Sequence, residues 1–218
     1  MASKNYSNVS QTQKRQLLTS GMDKLKLEYS DDQLDQLLAY LGMLEHWNKA
    51  YNLTAVRDPM EMIKLHLLDS LAISSLLYGD RFIDVGTGAG LPGIPLAILN
   101  PDKHFTLLDS NGKKTRFLFQ VKIELGLANI KEVNERVEKY SPAHKYQAVL
   151  SRAFSSLTDM VINCQHLLAD NGWFLAMKGR LEKSELSAIP KGYKVVGEYP
   201  IEVPEVDGQR HLIKIKRI

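Results

Sequence analysis

Arg81-Phe82-Ile83-Asp84-Val85-Gly86-Thr87-Gly88-Ala89-Gly90-Leu91-Pro92-Gly93-Ile94-Pro95 is a short apolar run that ends in an acid, breaks into alternating glycines and resumes with prolines. The apolar run has the length and composition of a buried strand. The alternating glycines Gly86, Gly88 and Gly90 permit the positive φ of a tight turn and let a ligand approach the backbone. Pro92 and Pro95, with φ already fixed, suit the first turn of a helix. Strand, glycine turn and helix together predict a seat for an adenosine-bearing cofactor at the edge of an α/β sheet.

Gly88-x-Gly90-x-x-Gly93 formally matches the dinucleotide fingerprint, a weak signal when it stands alone. A second apolar run, His104 to Asp109, ends in an acid about twenty residues past the loop, where a carboxylate can accept bonds from both ribose hydroxyls. NAD and S-adenosylmethionine would both use Asp109. Asp84 separates them: a carboxylate beside the loop repels a pyrophosphate and attracts the ammonium of a methionyl group. Asp84-x-Gly86-x-Gly88-x-Gly90 with the later Asp109 is similar to the first two motifs of class I methyltransferases. A nicotinamide-dependent oxidoreductase is the competing reading of these residues. A ligand-free turn accounts poorly for three alternating glycines.

At 218 residues, with 44% hydrophobic and 24% charged, the chain can bury one α/β core plus an appendage. The single cysteine, Cys164, sits in an apolar helical stretch with Met160, Val161, Leu167 and Leu168, which predicts a packed thiol in a reducing compartment. The polar start Met-Ala-Ser-Lys-Asn-Tyr-Ser has no signal-peptide core, and no apolar run reaches the length of a membrane span. A cytoplasmic protein without a membrane partner is expected. A net charge of +3 is too small to establish a nucleic-acid partner, so local clustering carries that question.

Outward from the glycine stretch, the chain is helical before Gly79 and alternates afterwards. Ser30-Asp31-Asp32 can cap a helix carrying Leu34, Leu37, Leu38, Leu41 and Leu44 at helical spacing, with Trp47 near the same face. Asp58-Pro59 opens a second helix through Met62, Ile63, Leu67, Leu71 and Leu76. After the first strand come helix 94–99, the strand to Asp109, helix 113–125, strand 130–134, strand 148–151, helix 157–168, a turn at Asp170-Asn171-Gly172 and strand 173–177. A short helix over 181–189 precedes two runs, 193–202 and 209–218, that read as an antiparallel pair around Asp207-Gly208. The alternation predicts an α/β fold: a mostly parallel seven-stranded, Rossmann-like sheet closed by an antiparallel C-terminal hairpin. The expected division is a helical extension over 1–79 packed on a class I methyltransferase domain over 80–218. The terminal hairpin is a methyltransferase feature that nicotinamide Rossmann domains usually lack.

Lys49-Ala-Tyr-Asn-Leu-Thr, Arg57-Asp-Pro, His66-Leu-Leu-Asp-Ser, the Gly-Leu-Pro-Gly-Ile-Pro form of the loop, Ser151-Arg-Ala-Phe and Met177-Lys-Gly occur in one order along the chain. In this the sequence resembles the bacterial small-subunit ribosomal RNA methyltransferases of the RsmG family, also called glucose-inhibited division protein B, over nearly its whole length. Only the polar residues before Lys14 exceed the minimal family pattern. The resemblance implies S-adenosylmethionine as methyl donor, released as S-adenosylhomocysteine, no metal, and methylation of the seven-position nitrogen of one guanine in 16S rRNA, whether free or within the small ribosomal subunit. It implies no oligomeric state.

The residue chemistry is compatible with that implication. The seven-position nitrogen of guanine carries a free lone pair, so methylation there needs no deprotonation and no covalent intermediate, and positioning can supply several kcal/mol of barrier reduction. No Asn/Asp-Pro-Pro-Tyr segment of the amino-directed enzymes follows the fourth strand. That strand instead delivers Ser151-Arg152-Ala153-Phe154 to the sheet's carboxyl edge. Arg152 is the expected catalytic and cofactor-side residue, with an ion pair to Asp84 or Asp109 as its structural alternative, and Phe154 is expected to stack on a base. For the cofactor, the backbone from Gly86 through Gly88 and Gly90 to Leu91 is expected at the methionyl part with Asp84, Asp109 at the ribose flanked by Ser110, and Val137 and Glu138 at the adenine. For RNA, the expected cations are Lys113, Lys114, Arg116, Arg136, Lys178 and Arg210, with Arg57, Lys64, Lys214, Lys216 and Arg217 nearby in the sequence. Asn52 and His66, polar amid apolar neighbours, are expected catalytic-site residues with the resemblance behind them; a satisfied core histidine is the other reading of His66. A methyltransferase of another substrate and a noncatalytic RNA-binding assembly module with a residual pocket are the competing functions.

Overall fold

The computed structural model describes residues 9–218, apart from the side chain of Lys183; the polar Met1-to-Ser7 run lies outside the described residues. Seven strands form one sheet, β1 (Arg81–Val85), β2 (His104–Asp109), β3 (Ile130–Asn134), β4 (Tyr146–Ser151), β5 (Leu168–Lys178), β6 (Tyr193–Pro200) and β7 (His211–Arg217). Their order is β3-β2-β1-β4-β5-β7-β6, parallel from β3 to β5, with β7 antiparallel to both β5 and β6. The strand order reverses between β1 and β4, and ligands bind at such a switch, outside the carboxyl ends of the strands.

Helices α1 (Gln11–Lys24) and α2 (Asp31–Tyr51) each begin with a capping box, Ser10 with Gln13 and Ser30 with Gln33. From α2, Leu34, Leu37, Tyr40, Leu41 and Leu44 are buried, while Leu38 and Trp47 are half-buried at the margin. These side chains join Phe82, Phe105 and Leu107 of the sheet and Phe117 and Leu118 of α6 (Gly112–Leu125) in one apolar cluster, so the N-terminal helices and this face of the sheet share a core. Each fully buried Leu there contributes about 1.5–3 kcal/mol. The opposite face packs on α7 (Leu157–Cys164), where the Cys164 thiol is buried and burial pushes its pKa up to about 12.

Two segments differ from the sequence expectation. The helix expected over 157–168 stops at Cys164, and Leu168 enters β5 opposite Tyr146; Trp173 next pairs with Ala148, so residues 169–172, which include the turn expected at Asp170-Asn171-Gly172, stand opposite Gln147 alone as an expanded bulge within one strand. The helix expected from Asp58 towards Gly79 is three pieces: α3 (Pro59–Met62), a π-helical segment over Ile63–Leu68 and α4 (Asp69–Leu71), followed by a 3-10 turn over Ser74–Leu76. A π segment keeps the apolar spacing legible while rotating later side chains around the axis. Elsewhere the boundaries move by a residue or two, including α5 (Gly93–Leu99), which Pro92 precedes. The short helix expected over 181–189 is α8 (Lys183–Ser187).

Candidate active site

The loop after β1 is shaped by two acids. Asp84, fully buried at the end of β1, accepts through Oδ2 from Thr87 Oγ1 at 2.7 Å and from the Gly93 amide at 2.9 Å, which ties both ends of the loop together. Its Oδ1 is buried without a partner, and burial raises the carboxyl pKa to about 6 against the opposing pull of the Thr87 and Gly93 bonds. Asp109, at the end of β2, accepts from the Gly88 amide at 2.9 Å, from the Asn111 amide at 2.9 Å and from Lys114 Nζ at 3.5 Å. From the far side, Tyr40 of α2 donates its buried hydroxyl to the Ala89 carbonyl at 2.7 Å. A Cβ on Gly86 would stand 2.8 Å from that of Ala153, so the loop and the β4 edge meet almost backbone to backbone.

Two cavities lie at this edge of the sheet. The first, about 340 Å³, opens between the β1 loop, the end of β2 and the segment after β3, with Gly86, Asp109, Lys114, Val137, Glu138 and Phe154 in its wall. The second, about 390 Å³, lies on the other side of the β4 edge, walled by Leu65, Asp69, Arg152, Met177, Ile201 and Arg210. Arg152 faces the second, while its neighbours Ala153 and Phe154 face the first.

The first cavity suits S-adenosylmethionine. It has a buried acid where ribose hydroxyls would bind, backbone of a positive-φ glycine loop at one end, and at the other Val137 for an apolar ring face with Glu138 as acceptor. A Cβ on Gly88 would meet no atom closer than Lys114 Nζ at 3.9 Å, so that glycine is open on the outer side of the loop.

Of the other expected cofactor residues, Asp84, Gly90 and Leu91 line neither cavity and build the loop from beneath, whereas Gly88, open outwards, reaches the first cavity through its amide hydrogen bond to Asp109 in that wall. Gly90 has no room for a side chain, since a Cβ there would lie 2.3 Å from Ile94 and 2.9 Å from Leu118.

The second cavity is polarised by one carboxylate and two guanidiniums. Asp69 Oδ2 accepts from Arg152 Nη1 at 2.8 Å, and its Oδ1 from Arg210 Nε at 3.2 Å. Arg152 Nη1 also reaches the Leu65 carbonyl at 3.2 Å, and Arg210 Nη1 the Gln209 carbonyl at 2.9 Å. Arg152 thus forms an ion pair, and its partner is Asp69 where sequence reasoning weighed Asp84 and Asp109. Asp69 itself was missed as a site residue. Its signal was present, an acid among Leu67, Leu68 and Leu71 on a helix that must bury them, because a buried carboxylate needs a cationic partner.

The remaining expected residues scatter around these cavities. His66 is buried next to the second cavity's wall; its Nε2 lies 2.8 Å from Thr54 Oγ1 and its Nδ1 has no partner. Burial, reinforced by the charge of Arg152, lowers its pKa to about 4, so the ring is neutral at pH 7. Asn52 is the exposed left-handed cap of α2, with Oδ1 accepting from Arg57 Nη2 at 2.6 Å; the apolar helical setting expected for it is absent. Lys178 lines the second cavity but is held by the Ser155 carbonyl at 2.8 Å and Glu185 at 2.7 Å. Lys114 and Arg136 border the first cavity, whereas Lys113 and Arg116 stand exposed on α6, lining neither. Lys214 and Lys216 of β7 sit over the Trp173 ring, 3.8 and 5.1 Å from its centroid; β7 begins beside the second cavity at His211 and carries these two lysines away from it.

Residues 33–213 match the family model described as rRNA small subunit methyltransferase G. The chain is 54% identical over 198 residues to the ribosomal RNA small subunit methyltransferase G of Shewanella amazonensis, covering 91% of this chain and 96% of that protein. It is 53% identical over 195 residues to the protein of that name from Klebsiella pneumoniae, covering 89% and 94%. Among solved structures, the fold is similar to a precorrin-6y C5,15-methyltransferase from Geobacter metallireducens (TM-score 0.53, 15% identity, 78% of this chain and 93% of that one). A ribosomal protein L11 methylase from Lactobacillus delbrueckii aligns with TM-score 0.52 at 14% identity, over 69% of this chain and 76% of that one.

Proposed function

The chain belongs to the rRNA small subunit methyltransferase G family, and from that premise we propose that it uses S-adenosylmethionine to form 7-methylguanosine at one guanine of 16S rRNA, with the cofactor in the Asp109 cavity and the guanine in the Arg152 cavity. The observation that carries this reading is the pair of cavities on either side of Arg152-Ala153, where the strand order reverses.

When bound, S-adenosylmethionine supplies a methyl group on a sulfonium. Because the guanine seven-position nitrogen carries a free lone pair, transfer to it would need no base from the protein, and the sulfur would leave with the bonding pair. The protein's part is placement. Asp109 holds the ribose and keeps the Gly88 amide in register; Val137 and Glu138 receive the adenine. Arg152 and Arg210 present guanidinium donors to the acceptor atoms of guanine or to its phosphate, and Leu65, Met177 and Ile201 give the base an apolar, water-excluding surround. Neutral His66, next to Leu65 of this wall in the chain, is held by Thr54 Oγ1. Lys114 and Arg136 at the rim of the first cavity, with Lys113 and Arg116 exposed on the helix of Lys114, attract the phosphate backbone.

The test is transfer of tritiated methyl groups to 16S rRNA lacking the modification, free and in small subunits. Label in the RNA of at least one substrate is expected. Binding of S-adenosylhomocysteine with no label in either would contradict the reading and favour a noncatalytic assembly module.

A further inference from the structure

We propose that Asp69 is the positioning residue of the transfer reaction: it holds Arg152 and Arg210 against one wall of the second cavity and halves the positive charge facing the base. The inference rests on the reading of that cavity as the guanine site.

Three separate parts of the chain converge on this carboxylate. Asp69 follows the π-helical segment, Arg152 stands at the carboxyl edge of β4, and Arg210 directly precedes β7. Each carboxylate oxygen serves one guanidinium, Oδ2 for Arg152 and Oδ1 for Arg210. The Asp69 side chain is 9% exposed, whereas Arg152 and Arg210 are 25% and 29% exposed, so the anion lies behind the cations. Nε and Nη2 of Arg152 and Nη2 of Arg210 have no protein partner among the described residues. These are the donors left for a ligand, and a guanidinium pinned at one corner presents the others in fixed directions.

The charge balance gives the carboxylate a second role. Methylation at the seven position carries a positive charge from the sulfonium onto the purine. Two uncompensated guanidiniums would oppose that movement, while the Asp69 carboxylate leaves the trio with a net charge of +1. That remaining charge still attracts the phosphate of the incoming nucleotide.

Asp69→Asn keeps the shape and removes the charge. Turnover per S-adenosylhomocysteine-binding site should fall at least thirty-fold, with S-adenosylhomocysteine affinity within three-fold of wild type and RNA affinity unchanged or tighter, because the wall gains a positive charge. Asp69→Glu should recover at least a tenth of the wild-type turnover. A merely structural role would instead lower cofactor or RNA affinity along with the number of binding sites.

Turnover of Asp69→Asn within three-fold of wild type, or a loss confined to cofactor or RNA affinity, overturns the proposal while the functional reading stands. A wild-type protein that transfers no methyl to rRNA overturns both. If Asp69→Asn does not fold, Arg210→Lys decides, since it keeps the charge and loses the fork: a ten-fold or greater fall in turnover at two-fold constant RNA affinity is expected, and unchanged turnover contradicts the proposal.

Discussion

Arg152 stands between the two cavities and touches only the second, so its roles can be separated. Arg152→Ala should leave S-adenosylhomocysteine affinity within a few-fold and cut methyl transfer at least ten-fold; loss of cofactor binding in a still-folded variant would contradict this division. Two buried groups give a second prediction. The Asp84 carboxyl, at about 6 against 3.8 when free, keeps its proton longer in the folded state, so its contribution to stability falls by about 3 kcal/mol as pH rises from 4 to 6. His66, at about 4 against 6.5, is protonated first in the unfolded chain, so its contribution is lost by a similar amount as pH falls from 6.5 towards 4. The two trends oppose each other over the same window. His66→Gln should therefore expose a urea midpoint that drops between pH 4 and 6, and Asp84→Asn one that rises; variants that track the wild-type profile would contradict both assignments. Sequence alone pointed to Asp84, Asp109 and Arg152 because acids and a cation at strand ends have few other uses. It could not reveal that Asp84 turns beneath the loop to Thr87 and Gly93, because that depends on which side of the backbone the carboxylate takes.

At the scale of elements, the glycine loop contains positions that answer differently to the same substitution. Gly88→Ala places a Cβ in open space at φ +62°, costing about 1–2 kcal/mol. It should fold and lose at least ten-fold in S-adenosylhomocysteine affinity by calorimetry. Gly90→Ala drives a Cβ into Ile94 and Leu118 at φ +94°, and about 1–3 kcal/mol of overpacking added to its backbone strain should put its thermal midpoint well below that of Gly88→Ala. Equal stability of the two variants would contradict the packing described. The alternation of apolar runs, glycines and caps made nearly every strand and helix legible. The π segment over Ile63–Leu68 was not, since its apolar spacing is also that of an α-helix. Leu65 in that segment and Asp69 just after it line the second cavity. Tyr40 was hidden likewise inside a leucine stripe that reads as plain core, although its hydroxyl holds the Ala89 carbonyl.

Across the whole molecule, the N-terminal helices and the sheet bury one cluster together, so heat should unfold them in a single transition. The net charge of +3 is spread unevenly, with Lys113, Lys114 and Arg116 together at the start of α6 and Arg210 in the wall of the second cavity, where the proposed function puts RNA. RNA affinity should fall steeply with salt on logarithmic axes, and Arg210→Gln should lower that slope by about one, as expected for a lost phosphate contact. An unchanged slope would place Arg210 on the base alone. The class of fold was legible at this scale because strand alternation and a terminal hairpin are properties of order along the chain. The second cavity was not, because its wall is assembled from residues as far apart in sequence as Leu65, Arg152 and Arg210. The most direct test of the account is nucleoside analysis of 16S rRNA methylated by the purified protein: 7-methylguanosine as the only new nucleoside, close to one per RNA molecule, is predicted, and methylation at an exocyclic amine, at another ring nitrogen or on the ribose would contradict it.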